Sequence, residues 1–468
     1  MKKAFYLNFL VLVIGTLLNV AVAQPGDAVY ASSATGGGVA PGPAILPTGT
    51  FLSDSVNNAA NVAGNVKPNS KAAHLSVRST AGVASAWIQL AFASQVPANS
   101  TSYIKISNYT GTGTISVQTY TSVSGTGSPV SPTPAAYKTY FTSDGNQYLA
   151  ITPSVGYRSV RVTLASGTLL STSNVDVYYA FYGPTAVNDS NPFPFNVADC
   201  GSANVSTVGI SGLSVGSFGV ANPGSAIDGD ATGSGSSFYA TGLTLLSGHI
   251  FQTFYFNGPS NAADAVRIIF SKNGAFLAAS LASSVKIQGY NGADAVGSSQ
   301  PFSALLDVSL LSSLNTNNNK VTAYFAPKDA SGTSVIFDRV TVDLDIGLLG
   351  LTLGASGLNI FDVRRVPDVP VTSDKTVCSN VGIVSLSALA SQTNLGLGFI
   401  YKWYDAIRDG SLLQEAQNYT VSGLTTAGQN RSYFVDIQKS GCPVTSARNI
   451  VNVTVTEAPI TPPIALTP

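Results

Sequence analysis

The chain has 468 residues, only 10% of them charged, and its 23 basic and 23 acidic side chains leave no net charge at pH 7. That length predicts two to four domains, and zero net charge without a basic patch excludes the electrostatic footprint of nucleic-acid binding. Apolar residues at 44% exclude a disordered chain, while 45 Gly, 24 Pro and a near-absence of Glu (only Glu415 and Glu457) exclude a helical one.

Residues 1–23 read as a secretory signal peptide: Lys2 and Lys3 supply the positive start, Phe5 to Val22 are mostly apolar, and Ala21-Val22-Ala23 offers a small-residue cleavage site. The competing reading is a single membrane anchor, against which stand Asn8 and Asn19 inside the stretch. No Cys follows the cleavage site, and no transmembrane segment is expected once the signal is removed.

Two β-sandwich modules are expected next, at 24–190 and 199–367, because the chain resembles itself. The blocks Tyr103-Ile-Lys-Ile, Thr114-Ile-Ser-Val-Gln-Thr-Tyr, Tyr157-Arg-Ser-Val-Arg-Val-Thr-Leu and Asn174-Val-Asp-Val recur in order as Ala265-Val-Arg-Ile, Ser284-Val-Lys-Ile-Gln-Gly-Tyr, Phe337-Asp-Arg-Val-Thr-Val-Asp-Leu and Leu358-Asn-Ile-Phe. Each alternates with period two, so Val340, Val342 and Leu344 face a core while Arg339, Thr341, Asp343 and Asp345 face water. Short strands bounded by Gly, Asn, Ser and Pro clusters predict sandwiches or jelly rolls. Glycine runs such as Thr35-Gly-Gly-Gly and Gly233-Ser-Gly-Ser, lacking the Lys of a phosphate loop, read as turns. Pro184, Pro192 and Pro194, then Pro367 and Pro370, mark semi-stiff linkers.

The segment 371–457 holds two of the three cysteines, Cys378 and Cys442, which are expected to pair and to stabilise by roughly 4 kcal/mol through loop closure. Cys200, at the start of the second module with no basic neighbour in sequence, is then left as an inert thiol. The run Val377-Cys-Ser-Asn-Val-Gly, Tyr401-Lys-Trp-Tyr-Asp, Ser432-Tyr-Phe-Val-Asp, Ser440-Gly-Cys and Val451-Asn-Val-Thr-Val resembles the immunoglobulin-like repeats of large Bacteroidetes cell-surface proteins, often found beside gliding-motility-type C-terminal sorting domains. It departs from the antibody pattern: Trp403 lies 25 residues after Cys378 and no Tyr stands two residues before Cys442. The fold class expected is therefore all-β: a signal peptide, two jelly-roll-like sandwiches, one immunoglobulin-like sandwich and a Pro-rich tail at 458–468. That tail resembles another interdomain linker, and the chain is expected to be the front part of a longer surface protein.

The second module resembles the discoidin or galactose-binding jelly roll through Asn222-Pro-Gly-Ser-Ala-Ile-Asp-Gly-Asp-Ala-Thr232, Phe251-Gln-Thr-Phe-Tyr-Phe and Gly357-Leu-Asn-Ile-Phe-Asp-Val. The resemblance implies a structural Ca²⁺ held by Asp228, Asp230 and Thr232, since a hard cation wants several oxygens from a tight loop. Asp-Gly-Asp is equally an ordinary turn in which aspartates bond their own backbone. The first module offers Asn57-Asn-Ala-Ala-Asn61 instead.

The catalytic inventory is thin. Residues 1–414 contain no Glu, and the chain's two histidines, His74 and His249, fall in different modules. His74 reads as a surface residue, His249 as a strand-edge residue, and Asp343 with Asp345 as a solvated pair rather than a glycosidase dyad. Aromatic clusters at Tyr178, Tyr179, Phe181 and Tyr182 and at Phe251, Phe254, Tyr255 and Phe256 read as core before stacking platform. The expectation is a secreted or surface-displayed adhesin or structural protein without catalysis, meeting an unidentified cell-surface glycan or protein. The alternatives are a carbohydrate-binding accessory protein using the second module, and then a polysaccharide-active enzyme.

Overall fold

A computed structural model describes residues 29–39, 53–57, 72–78, 84–125, 127–131, 134–143, 145–166, 172–183, 200–213, 217–241, 247–272, 278–314, 316, 318–346, 357–391 and 398–459. The signal-peptide stretch, the Pro184 to Pro194 linker and tail residues 460–468 lie outside them. The described chain is almost entirely antiparallel β-structure, with short helices at Ala278–Ser284, Phe302–Leu305 and Val308–Leu314. None of its helices is long and apolar enough to cross a membrane.

The chain divides into two compact units, the first comprising 1–137, 149–186 and 193–197 and the second 138–148, 187–192 and 198–468. In unit 1 one sheet runs in the order Ser33–Val39, Ser85–Val96, Tyr157–Ala165, Thr114–Tyr120. A second sheet places Ser102–Thr110, Thr172–Tyr182, Ala73–Arg78 and Ser53–Asn57 side by side. Leu75, Ile88, Leu90, Ile104, Val160, Val162 and Val175 from both sheets form one dry core, as the period-two pattern requires. The Thr35-Gly-Gly-Gly run is a strand, not the expected turn. Gly37 pairs with Trp87, and a Cβ there would stand 2.6 Å from the indole, so the glycine makes room for a ring lying across its strand.

The part of unit 2 between 203 and 367 repeats this topology. Its first sheet runs Ala203–Leu213, Ser247–Phe256, Arg339–Asp345, Val285–Asn291, Asp294–Pro301, and its second Ser217–Ala221, Ser236–Thr241, Leu358–Pro367, Asp264–Lys272, Val321–Phe325. Strand for strand the first four members of the first sheet follow the order seen in unit 1, which is what two copies of one module should give. Phe254, Phe270, Phe302, Val340, Val342, Leu344 and Ile360 form the core, while Arg339, Thr341 and Asp343 lie on the outer face. The Lys138–Thr142 strand also belongs to unit 2, pairing through Tyr140 with Thr207 and through Thr142 with Val205.

Residues 371–457 form an immunoglobulin-like sandwich. Its sheets are Val371–Thr372, Gly382–Leu389, Asn418–Leu424 and Lys375–Cys378, Asn449–Thr456, Arg431–Lys439, Phe399–Tyr404, Leu412–Glu415. They enclose Leu386, Trp403, Val421, Val435, Val451 and Val453, and the Trp403 indole N–H donates to the Ala416 carbonyl at 2.9 Å.

The disulfide is not the expected one: Cys200 pairs with Cys442, and Cys378 is free. Cys378 pairs with Thr456 at one end of the sandwich, whereas Cys442 follows the far end of Arg431–Lys439, whose Arg431 pairs with Val453. Roughly 26 Å of strand separates the two ends, far beyond the 7 Å that a disulfide tolerates between Cα atoms. Cys200 is therefore a covalent staple rather than an inert thiol. It sits beside the exit of Leu358–Pro367, because Arg365 N–H donates to the Gly201 carbonyl at 2.7 Å. Around the staple, Ala265, Val366 and Val444 share a small apolar cluster; separately, Arg408 of the immunoglobulin-like domain pairs with Asp307.

Candidate functional site

The outer face of the first sheet of the second module is hollowed into a cleft of about 560 Å³, lined among others by Lys138, His249, Phe251, Tyr255, Lys286, Tyr290, Arg339, Thr341 and Asp343. Its floor is an ordered grid, because antiparallel register places side chains in cross-strand rows. One row reads Gly209, Phe251, Asp343, Lys286; the next Thr207, Thr253, Thr341, Gln288; the third Val205, Tyr255, Arg339, Tyr290.

Each row has its own chemistry. The Thr253 and Thr341 hydroxyls bond each other at 2.8 Å. Arg339 is buried, its Nε donates to the fully buried Asp338 at 2.8 Å, and its guanidinium lies 4.8 Å from the Tyr255 ring centre. Phe251 lies over Gly209, where a Cβ would stand 2.2 Å from the ring. The aromatic cluster thus splits by alternation: Phe254 and Phe256 are core, Phe251 and Tyr255 face the cleft.

His249 belongs to a central strand rather than to a strand edge. Its Nδ1 lies 3.1 Å from both carboxylate oxygens of Asp343. Asp343 is one-third exposed and paired rather than solvated; burial raises its pKa first, and the imidazole partly opposes this. His74, in unit 1, bonds Asp176 at 2.7 Å with its side chain partly exposed.

The Asp228 to Thr232 loop lies away from this cleft. Asp228 Oδ1 accepts from Asp230 N–H at 2.8 Å, and Asp230 Oδ1 accepts from the Thr232 hydroxyl, Thr232 N–H and Gly233 N–H at 2.6, 2.9 and 3.0 Å. These bonds, the hydroxyl's foremost, hold Asp230 below the usual carboxylate range. The loop carbonyl of Ala231 accepts from Lys320 Nζ at 2.6 Å, and that ammonium also sits 3.9 Å above Phe361. A carboxylate oxygen saturated by loop donors and a carbonyl held by an ammonium do not fit a divalent-cation site. Cross-strand pairs and Lys320, which lies 89 residues from its carbonyl, left no local signal in the sequence; only the alternation of Phe251 with Phe254 and of Thr341 with Val342 pointed to this face.

No curated protein matches the chain in sequence. Among solved structures, a β-1,2-glucanase from Parabacteroides distasonis is 12% identical over 55% of this chain and 37% of its own, with a TM-score of 0.24. The chain thus spans little more than a third of that protein. The adhesin domain of Epf from Streptococcus pyogenes is 9% identical over 48% of this chain and 79% of its own, with a TM-score of 0.20. A fucolectin from striped bass serum is 12% identical over 72% and 99%, with a TM-score of 0.17. Likenesses this slight carry no conclusion about ligand or activity. The one family match is local: residues 367–456 match the Ig-like domain described as CHU_C associated.

Proposed function

We propose that the chain is an exported, surface-displayed binding protein without catalytic activity, which holds a carbohydrate in the cleft of its second module and presents it on a rigid mount formed with the immunoglobulin-like domain. The observation that carries this reading is the cleft: two aromatic rings, Phe251 and Tyr290, line it together with the Thr253 and Thr341 hydroxyls and the Gln288 side chain, whose amide N–H groups are held by backbone carbonyls. Apolar faces beside a few convergent polar groups are what a pyranose ring recognises. Export of Bacteroidetes type is supported by the immunoglobulin-like family match and by the disulfide. The Asp228 to Thr232 loop enters as a self-satisfied turn, so carbohydrate capture is independent of Ca²⁺.

A glycan array probed with the full chain, with and without Ca²⁺, tests this, with Phe251→Ala as the control. Binding that is insensitive to Ca²⁺ and lost in the variant is expected. Glycan binding that persists in a folded Phe251→Ala chain places the site elsewhere, and absence of all binding leaves a spacer role.

A further inference from the structure

Unit 1 carries the same outer face in a filled form. Register for register, the row Gly37, Trp87, Thr163, Ser116 stands where the second module has Gly209, Phe251, Asp343, Lys286. Thr35, Gln89, Arg161, Gln118 correspond to Thr207, Thr253, Thr341, Gln288, and Ser159 with Tyr120 to Arg339 with Tyr290. In both copies a glycine yields to an aromatic ring, with a Cβ at 2.6 Å from Trp87 or 2.2 Å from Phe251. The decisive difference is the central residue.

In unit 1 that residue is Arg161, whose guanidinium lies 4.0 Å from the Trp87 ring and 4.2 Å from the Tyr120 ring. Its Nε and Nη2 donate to Gln89 Oε1 at 3.1 and 2.6 Å, and Nη2 also to the Gly125 carbonyl. The space between the two rings is taken by the protein's own planar cation. In the second module Thr341 stands there, its short side chain tied to Thr253, and the space above is the cleft. The charges are placed differently: Lys286 stands in the place of Ser116, Arg339, buried against Asp338, in that of Ser159, and Lys138 joins the lining. Among the described residues neither Lys138 nor Lys286 makes an ion pair, and Asp343, the cross-strand partner of Lys286, is engaged by His249.

We infer that Thr341 is the residue that opens this cleft, and that its occupant is an oligosaccharide or polysaccharide bearing carboxylate or sulfate groups, its rings against Phe251 and Tyr290 and its acids toward Lys286 and Lys138. This rests on the carbohydrate reading above. A cleft that carries two ammonium groups outside any ion pair against the single carboxylate of Asp343 has an excess of positive charge, which favours an anionic ligand. The strands carrying the two lysines lie four strand spacings apart, ~19 Å, a span that suits a chain of acidic sugars rather than one.

The test is affinity electrophoresis and calorimetry of the full chain with polygalacturonate, chondroitin sulfate, neutral dextran and neutral galactan. At least one acidic polymer binds, more weakly as salt rises, and the neutral ones do not. Thr341→Arg, which copies Arg161, abolishes binding with near-UV circular dichroism unchanged. Lys286→Ala, at an exposed position that disturbs no packing, weakens it roughly tenfold, the size of one charge-assisted hydrogen bond; should Thr341→Arg not fold, this variant decides. Neutral polymers binding as well as acidic ones, untouched by Lys286→Ala, would overturn the anionic assignment and leave the carbohydrate reading standing. A folded Thr341→Arg chain that binds like the parent would overturn the role of Thr341. No binding to any of the four polymers overturns both.

Discussion

Asp436 is the most heavily penalised carboxylate of the immunoglobulin-like domain. It is 3% exposed, its Oδ1 has no hydrogen-bond partner, and Oδ2 lies 3.4 Å from Arg448 Nε. Burial outweighs the attraction of Arg448 and pushes its pKa from 3.8 up to about 6. A carboxyl whose folded pKa is raised binds protons more tightly when folded, so its contribution to stability is complete below the unfolded value near 3.8 and is lost as pH rises through about 6. The shift corresponds to about 3 kcal/mol at pH 8. Asp436→Asn keeps the shape and removes the charge, so the variant should be more stable than the parent by about that amount at pH 8, the difference shrinking towards zero at pH 4. Urea titrations between those limits, followed by the fully buried Trp403 in a Trp87→Phe background, read the difference directly. A variant no more stable than the parent at pH 8, or a gap that widens towards pH 4, would refute the reasoning.

The staple offers a second measurement. With Cys200 fixed beside Val366, unfolding the immunoglobulin-like domain leaves a closed ring of roughly 76 residues to Cys442, so replacing both cysteines by Ser should lower that domain's unfolding free energy by about 4.5 kcal/mol; a change under about 1 kcal/mol in a urea titration argues against ring closure. Gly201→Ala should impair the staple even with both cysteines present, since φ is +80° and a Cβ would stand 1.8 Å from the Arg365 carbonyl; thiol counting of the purified chain should find extra free thiol. Chelation should leave the melting temperature unchanged because Lys320 holds the Ala231 carbonyl, whereas a fall of several degrees on adding EDTA would restore a cation to that loop.

What the sequence made legible is what depends on neighbours along the chain. Alternation placed Val340, Val342 and Leu344 inward and Thr341 and Asp343 outward, and the repeated blocks anticipated a sheet order that recurs. What it hid depends on register between distant strands. His249 and Asp343 are 94 residues apart, and nothing local says that one faces the other. The cysteine reading failed for the same reason: proximity in sequence favoured Cys378, yet the strand between the two domain ends made that partner unreachable. The glycine run at 36–38 looked like a turn because its cause, the Trp87 ring, sits on another strand.

The Cys200–Cys442 bond also redraws how the chain would carry a pull. Tension applied between residue 200 and the end of the Asn449–Thr456 strand crosses directly through the two sulfurs, bypassing the chain between two cysteines 242 positions apart. The cleft, its sandwich core and most of the immunoglobulin-like domain then hang beside the load path rather than in it. What is left under load is the last strand, held by Arg431–Lys439 on one side and Lys375–Cys378 on the other. A ligand gripped in the cleft would thus be held by a domain that stretching of the backbone does not deform.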